Sequence, residues 1–278
     1  MNPRISLCIC TYNRPVDLDK CLSSVYAAHP RPNEVIVSDD SADAQPAQAV
    51  VARYPGVIYQ RGPSQGLGAN RNACLRAVTQ DYVLFIDDDV CVEPDFFARA
   101  VSVLASLPER TIVTGYELNH RSEPVCKVTP HNPDFWGFQH VLPLGDYHAL
   151  VINSTFFPAA LFESIKFDEK LRYGSDEIDV ARHAISCGYR IQYSEDLYVH
   201  HYPSPVNRDE YQSYTEASRL YATFKAYWHY EKAIVKSSIF LLLAPPKLCL
   251  ALVRRTGFRG CYAAFKSTSL ALRYIMTP

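Results

Sequence analysis

The sequence predicts an α/β fold: a mostly parallel central sheet sandwiched by helices, followed by a helical C-terminal extension. Three observations predict it. Short β-branched runs alternate with helix-period segments through the first half, the pattern of βαβ units. Acidic and polar residues collect directly after several of those runs, where open parallel sheets bind ligands. From residue 232 onward the composition turns apolar and basic only.

Taken in order, strands are expected at 5–10, 34–38, 57–60 and 82–86, and helices at 16–28, 67–78 and 94–106. Pro15 suits the first turn of a helix, where its missing N–H costs nothing. The second half is less regular. It predicts strands at 111–117, 148–157, 190–194 and 197–200, and helices at 176–187 and 209–231. Gly188 stands where a helix end favours a glycine.

The chain has 278 residues and is 48% hydrophobic, enough for a sizeable core and unlike disordered, collagen-like or repeat sequences. Its formal net charge of -1 hides a split. Residues 1–231 carry 20 Lys and Arg against 29 Asp and Glu, whereas residues 232–278 carry eight basic residues and no acidic one. Nine Cys occur without a C-x-x-C pair, which argues against a zinc knuckle and for core thiols in a reduced, cytoplasmic setting. Met1-Asn2-Pro3-Arg4 leads straight into a strand, so no signal peptide is expected. Asn153-Ser154-Thr155 matches a glycosylation acceptor and is read as a chance match.

The chemistry concentrates at three strand ends: Thr11-Tyr12-Asn13-Arg14, Asp39-Asp40-Ser41, and Asp87-Asp88-Asp89. Three successive carboxylates repel one another unless a cation sits among them. Residues two apart in an extended segment point the same way, so Asp87 and Asp89 face one site while Asp88 faces away. Hard oxygen ligands of this kind suit Mg²⁺ or Mn²⁺ alongside phosphate oxygens. Gln65-Gly66-Leu67-Gly68-Ala69-Asn70-Arg71-Asn72 opens a helix whose first N–H groups, with Arg71, suit a diphosphate.

The order T-Y-N-R, V-S-D-D-S, G-L-G-A-N-R-N and F-I-D-D-D-V resembles the nucleotide-binding half of family 2 glycosyltransferases of the GT-A fold. Phe167-Asp168-Glu169, then Tyr173 to Asp179, is similar to that family's acceptor-side segment, and Gly188 to His201 matches in order and spacing. The resemblance spans roughly residues 4–202. It implies that 1–110 form the nucleotide-sugar-binding half and 111–231 the acceptor-binding and catalytic half of one domain, with 232–278 a tail. It also implies that Thr11, Tyr12 and Arg14 line the nucleotide pocket, that Asp39 accepts a hydrogen bond from the base, and that Asp40 supports the pocket. Gly66, Arg71 and Asp88 are counted with the donor-binding residues. Asp87 and Asp89 form the D-x-D motif, joined at a metal ion, Mn²⁺ or Mg²⁺, by His200 in preference to His201. The family's Glu-Asp order is reversed in Asp176-Glu177, which leaves the general base between these two, with Glu177 favoured.

The expected activity is metal-assisted, inverting transfer from a nucleotide-diphosphate sugar, UDP-linked by preference, to a glycan or lipid-linked hydroxyl in polysaccharide or glycoconjugate biosynthesis. Rival readings are a sugar-1-phosphate nucleotidyltransferase, whose Gly-rich first loop T-Y-N-R-P does not resemble, and a non-catalytic nucleotide-sugar-binding module. No nucleic-acid partner is expected. Pro245-Pro246 is expected to interrupt the apolar stretch at 239–244, which is too short to span a bilayer. The basic apolar tail instead suits peripheral contact with an anionic membrane at its inner face.

Overall fold

The computed structural model describes residues 2–141, 147–203 and 208–277. Its first half alternates strand and helix: β1 (Ile5–Thr11), α1 (Pro15–Ala27), β2 (Glu34–Asp39), α2 (Gln45–Val51), β3 (Val57–Arg61), α3 (Leu67–Leu75), β4 (Tyr82–Asp87), β5 (Val90–Cys91) and α4 (Phe96–Leu104). Then come β6 (Thr111–Asn119), β7 (Cys126–Val128), β8 (His131–Pro133), β9 (Gln139–Val141), β10 (Thr155–Pro158), α5 (Leu161–Ser164), α6 (Asp176–Ser186) and β11 (Arg190–His201). Three long helices close the chain: α7 (Arg208–Lys225), α8 (Ile234–Thr256) and α9 (Arg259–Met276).

The main sheet runs β3-β2-β1-β4-β10-β6-β11-β5, with β7 paired to β6. Strands β3, β2, β1 and β4 are mutually parallel, β10 is antiparallel to both β4 and β6, and β11 is parallel to β6. Strand β1 is fully buried along its length, as a central parallel strand covered on both faces must be. One face packs Leu18, Leu22 and Val25 of α1 with Phe96 and Phe97 of α4. The other packs Phe157, Phe162 and Phe167 around Phe85, each meeting its ring edge to face.

Several expectations changed for local reasons. The strand expected at 148–157 shrinks to β10, because Ile152–Ser154 turns as a 3₁₀ segment that carries Asn153 inward. Two short strands at 190–200 are one strand, β11, with a register shift between Tyr193 and Tyr198. Pro245 and Pro246 do not stop α8, which runs through them for 23 residues. Each proline lacks the N–H that would donate to the residue four before it, so the carbonyls of Leu241 and Leu242, both on the exposed side of the helix, lose that donor. Of the nine thiols, Cys8, Cys10, Cys21 and Cys74 are buried, while Cys126, Cys187 and Cys261 are exposed.

Candidate active site

Parallel register brings the acidic strand ends to one edge. Strand β1 lies between β2 and β4, with Thr11 opposite Asp39 and Cys10 opposite Asp87. Beyond that edge Asp88 is held by Thr11 and Arg14. The Thr11 hydroxyl donates to Asp88 Oδ2 at 2.7 Å, and Arg14 Nη1 lies 3.3 Å from Asp88 Oδ1. Burial pushes the Asp88 carboxyl up to about 7, against the pull of Thr11 and Arg14. Arg14 also donates to Asp89 Oδ2 at 3.0 Å.

Asp87, Asp89 and His201 each present a ligand atom, and the three atoms lie within 4.8 Å of one another. The sequence favoured His200, but it is His201 that lies beside Asp87 and Asp89. Successive strand residues face opposite ways. His200 Nε2 lies 2.7 Å from Glu93 and its Nδ1 2.9 Å from His120. His201 Nε2 instead reaches Asp89 Oδ1 at 3.2 Å, and its Nδ1 reaches Glu117 at 2.9 Å. Burial disfavours the His201 imidazolium, but its hydrogen bonds to Asp89 and Glu117 overcome that and raise it to about 10. This pocket favours positive charge. Two carboxylates and an imidazole at this spacing fit a divalent cation that accepts oxygen and nitrogen donors.

Two residues of this cluster were not found from the sequence. Asn153 accepts the Asp87 N–H at 2.9 Å and donates to Glu117 at 3.2 Å, so Asp87, Asn153, Glu117, His201 and Asp89 form a chain of contacts. Asn153 is 3% exposed, so the glycosylation match is sealed in the interior. The only signal for Asn153 was that motif, and Glu117 offered none beyond its place near a strand end.

Arg71 is buried on α3 and joins two acidic groups. Its Nη2 lies 3.3 Å from Asp87, and its Nη1 donates to Asp176 at the start of α6. Burial works against the Arg71 charge, but Asp176 and Asp87 hold it above its ordinary value. Burial, with Asp176 beside it, raises the Glu177 carboxyl well above the usual carboxylate range. The helix start expected to cradle a diphosphate is closely covered. A side chain on Gly66 would come 3.1 Å from the Arg172 backbone, and one on Gly68 3.0 Å from Asp168 O.

Asp39 is completely buried and accepts from Ser41 N at 2.8 Å, Tyr59 Oη at 2.7 Å and Arg61 Nη1 at 3.1 Å. Asp40 accepts from Ser64 N at 2.8 Å and so holds the loop after β3. Tyr12 stands exposed at the rim. Asp179 and Asp168 are bound by Lys225 of α7, at 2.8 Å and 2.6 Å.

A curled, mostly parallel sheet flanked by helices, with a carboxylate cluster at its strand ends, is the scaffold of GT-A glycosyltransferases. Residues 6–138 match the family model described as glycosyl transferase family 2. It is 36% identical over 99 residues to the putative glycosyltransferase EpsH of Bacillus subtilis, a match covering 34% of this chain and 28% of that protein. Over 214 residues it is 27% identical to the amylovoran biosynthesis glycosyltransferase AmsE of Erwinia amylovora, covering 64% of this chain and 79% of the relative. The fold is similar to GalNAc-T7, solved with UDP, GalNAc and Mn²⁺, at a TM-score of 0.69 and 14% identity, covering 99% of this chain and 56% of that one. It is also similar to S. aureus TarS at a TM-score of 0.57 and 17% identity, covering 96% and 54%.

Proposed function

We propose that the chain transfers a sugar from a nucleotide-diphosphate donor, UDP-linked by preference, to a glycan or lipid-linked hydroxyl, with inversion at the anomeric carbon. The single observation that carries this is the Asp87–Asp89–His201 cluster, joined through Arg71 to the acidic pair that opens α6. The relative named for amylovoran biosynthesis favours a polysaccharide product.

Asp87, Asp89 and His201 would hold Mn²⁺ or Mg²⁺, which when bound supplies a Lewis acid to the departing diphosphate. Thr11, Tyr12, Arg14, Asp39 and Asp40 shape the nucleotide end of the site. Asp88, held by Thr11 and Arg14, fixes the turn that aims its two neighbours. On the acceptor side a carboxylate takes the hydroxyl proton as the acceptor oxygen bonds to the anomeric carbon. The bond from that carbon to the diphosphate breaks, and the nucleoside diphosphate leaves with the electron pair. Asp176 is already committed to Arg71 in a buried ion pair, which leaves Glu177 to take the proton. Glu177 is therefore assigned as the base, with Asp176 setting its charge environment.

A thermal-shift screen of nucleotide-sugars with Mn²⁺ and Mg²⁺ identifies the donor, because a ligand that binds the native state raises its apparent stability. With that donor, Glu177→Gln should slow transfer by about 10²- to 10⁴-fold. Asp176→Asn should slow it less. Wild-type rates in both variants would remove the acceptor-side assignment, and release of pyrophosphate would replace the reaction with nucleotidyl transfer.

A further inference from the structure

The last two helices expose what a water-soluble surface normally hides. In α8 the buried stripe is Ser237, Phe240, Ala244, Leu248 and Leu252, and it packs with the small residues Gly260, Ala264, Ser267 and Ala271 of α9. Much of the exposed surface of α8 is apolar as well: Val235 is 74% exposed and Leu242 73%. An exposed apolar surface of this kind on a helix calls for a second apolar partner. Along α9, Phe258, Phe265 and Leu272 recur every seven residues, with Phe258 93% and Phe265 70% exposed. Immediately beside them, at the same interval, run Arg259, Lys266 and Arg273.

Charge decides what the partner is. Lys236 and Lys247 turn back onto the rings of Tyr227 and Trp136. Arg254, Arg255, Arg259, Lys266 and Arg273 are exposed, and none of the ion pairs among the described residues includes them. A second copy docking hairpin to hairpin would bring two such sets of cations together. An anionic lipid surface would neutralise them and take up the apolar ridge at once.

Length alone would let α8 cross a bilayer, for its 23 residues include an 18-residue window with a mean hydropathy of 1.6. Packing argues otherwise. Helix α9 lies along α8 and is fixed to the body: Lys170 donates to the carbonyls of Tyr274 and Thr277, and Tyr274 meets the ring of Tyr221 at 5.6 Å. A crossing α8 would pull the basic ridge of α9 into hydrocarbon, which is costly.

We propose that the α8–α9 hairpin lies in the plane of an anionic membrane surface. Its Phe258–Phe265–Leu272 ridge then sits at the acyl boundary, and its five outward cations meet lipid phosphates. Lys170 belongs to the segment beside Asp168, so the docked hairpin brings the acceptor side toward the lipid; that last point rests on the reading of sugar transfer above.

Flotation of the full chain with vesicles tests the proposal without any turnover. Vesicles of phosphatidylcholine with one third phosphatidylglycerol should carry the protein, and phosphatidylcholine alone should not. Arg259→Gln/Lys266→Gln/Arg273→Gln should weaken binding by roughly a hundredfold, given the strength of each basic residue near an anionic surface. Phe258→Ser/Phe265→Ser should weaken it at least about tenfold at unchanged charge. Both variants alter exposed positions and should keep the wild-type circular dichroism and nucleotide binding. Three results would overturn the proposal. One is no flotation with either lipid. Another is equal retention on neutral vesicles that salt does not move, the mark of a spanning helix. The third is a dimer that Phe258→Ser/Phe265→Ser disperses.

Discussion

Two carboxylate clusters in this protein contrast in how their charge is answered. At the sheet edge, Asp87 and Asp89 meet Arg14, Arg71 and His201, and the Asp87 side chain remains 32% exposed. Beside α6, Asp168 and Asp179 share Lys225, and the hydroxyls of Tyr221 and Tyr230 close over them at 2.7 Å and 3.0 Å. Asp179 is 2% exposed. The second cluster carries its own cation and is sealed, so it ties α6 to α7. The first is open, and its histidine is a metal ligand type whose proton a divalent ion can replace. Closely spaced acids become a binding site when their counter-charge is exchangeable.

The sharpest way to break this contrast is to remove one acid from the open cluster. Asp89→Ala should lower transfer by about a thousandfold or more, the loss expected when a catalytic metal is no longer held. The unfolding midpoint should fall less than when the sealed cluster is unpaired, since Arg14 keeps Asp88 and His201 keeps Glu117 as partners. Retained turnover would unseat the metal assignment.

In the sealed cluster the same kind of change should strike stability. Lys225→Met leaves two buried carboxylates unanswered and should cost about 3–5 kcal/mol in urea unfolding. A loss below about 1 kcal/mol would mean that solvent already screens the pair.

Glu117→Gln probes the residue that orients His201. It should weaken Mn²⁺ binding by about 10- to 100-fold in a metal titration. His200→Ala, on the opposite face of β11, should change it far less. If the two effects are reversed, the choice of His201 is wrong.

The smallest effect is alkaline. Burial disfavours the Lys225 charge, but Asp179 and Asp168 raise its pKa above the ordinary 10.5. A raised folded pKa gives stability that is complete below the unfolded value and lost as pH rises through the folded one. Wild type should therefore lose more stability than Lys225→Met above pH 10.5. Parallel pH curves for the two proteins would show that Lys225 is not held by this pair.

Much of this was legible in the sequence. The alternation of β-branched runs with helix-period segments marked β1, β2, β3 and β4, because backbone periodicity is written locally. The acids after β2 and β4 marked the edge for the same reason: in a parallel sheet, strand direction alone sends those ends to one side. Helix α2 was not read, since seven residues give too little periodicity. Lys225 lies 46 residues beyond Asp179, and nothing local links them.

The sequence by itself determined the βαβ scaffold, the D-x-D placement and the basic apolar end of the chain. Tertiary structure decided which histidine meets the carboxylates, because the pairing of β11 with β5 and β6 sets which face His200 and His201 present. It also decided which acids are sealed and that α8 continues through its prolines. These outcomes depend on contacts between segments far apart in the chain, and no local pattern encodes them.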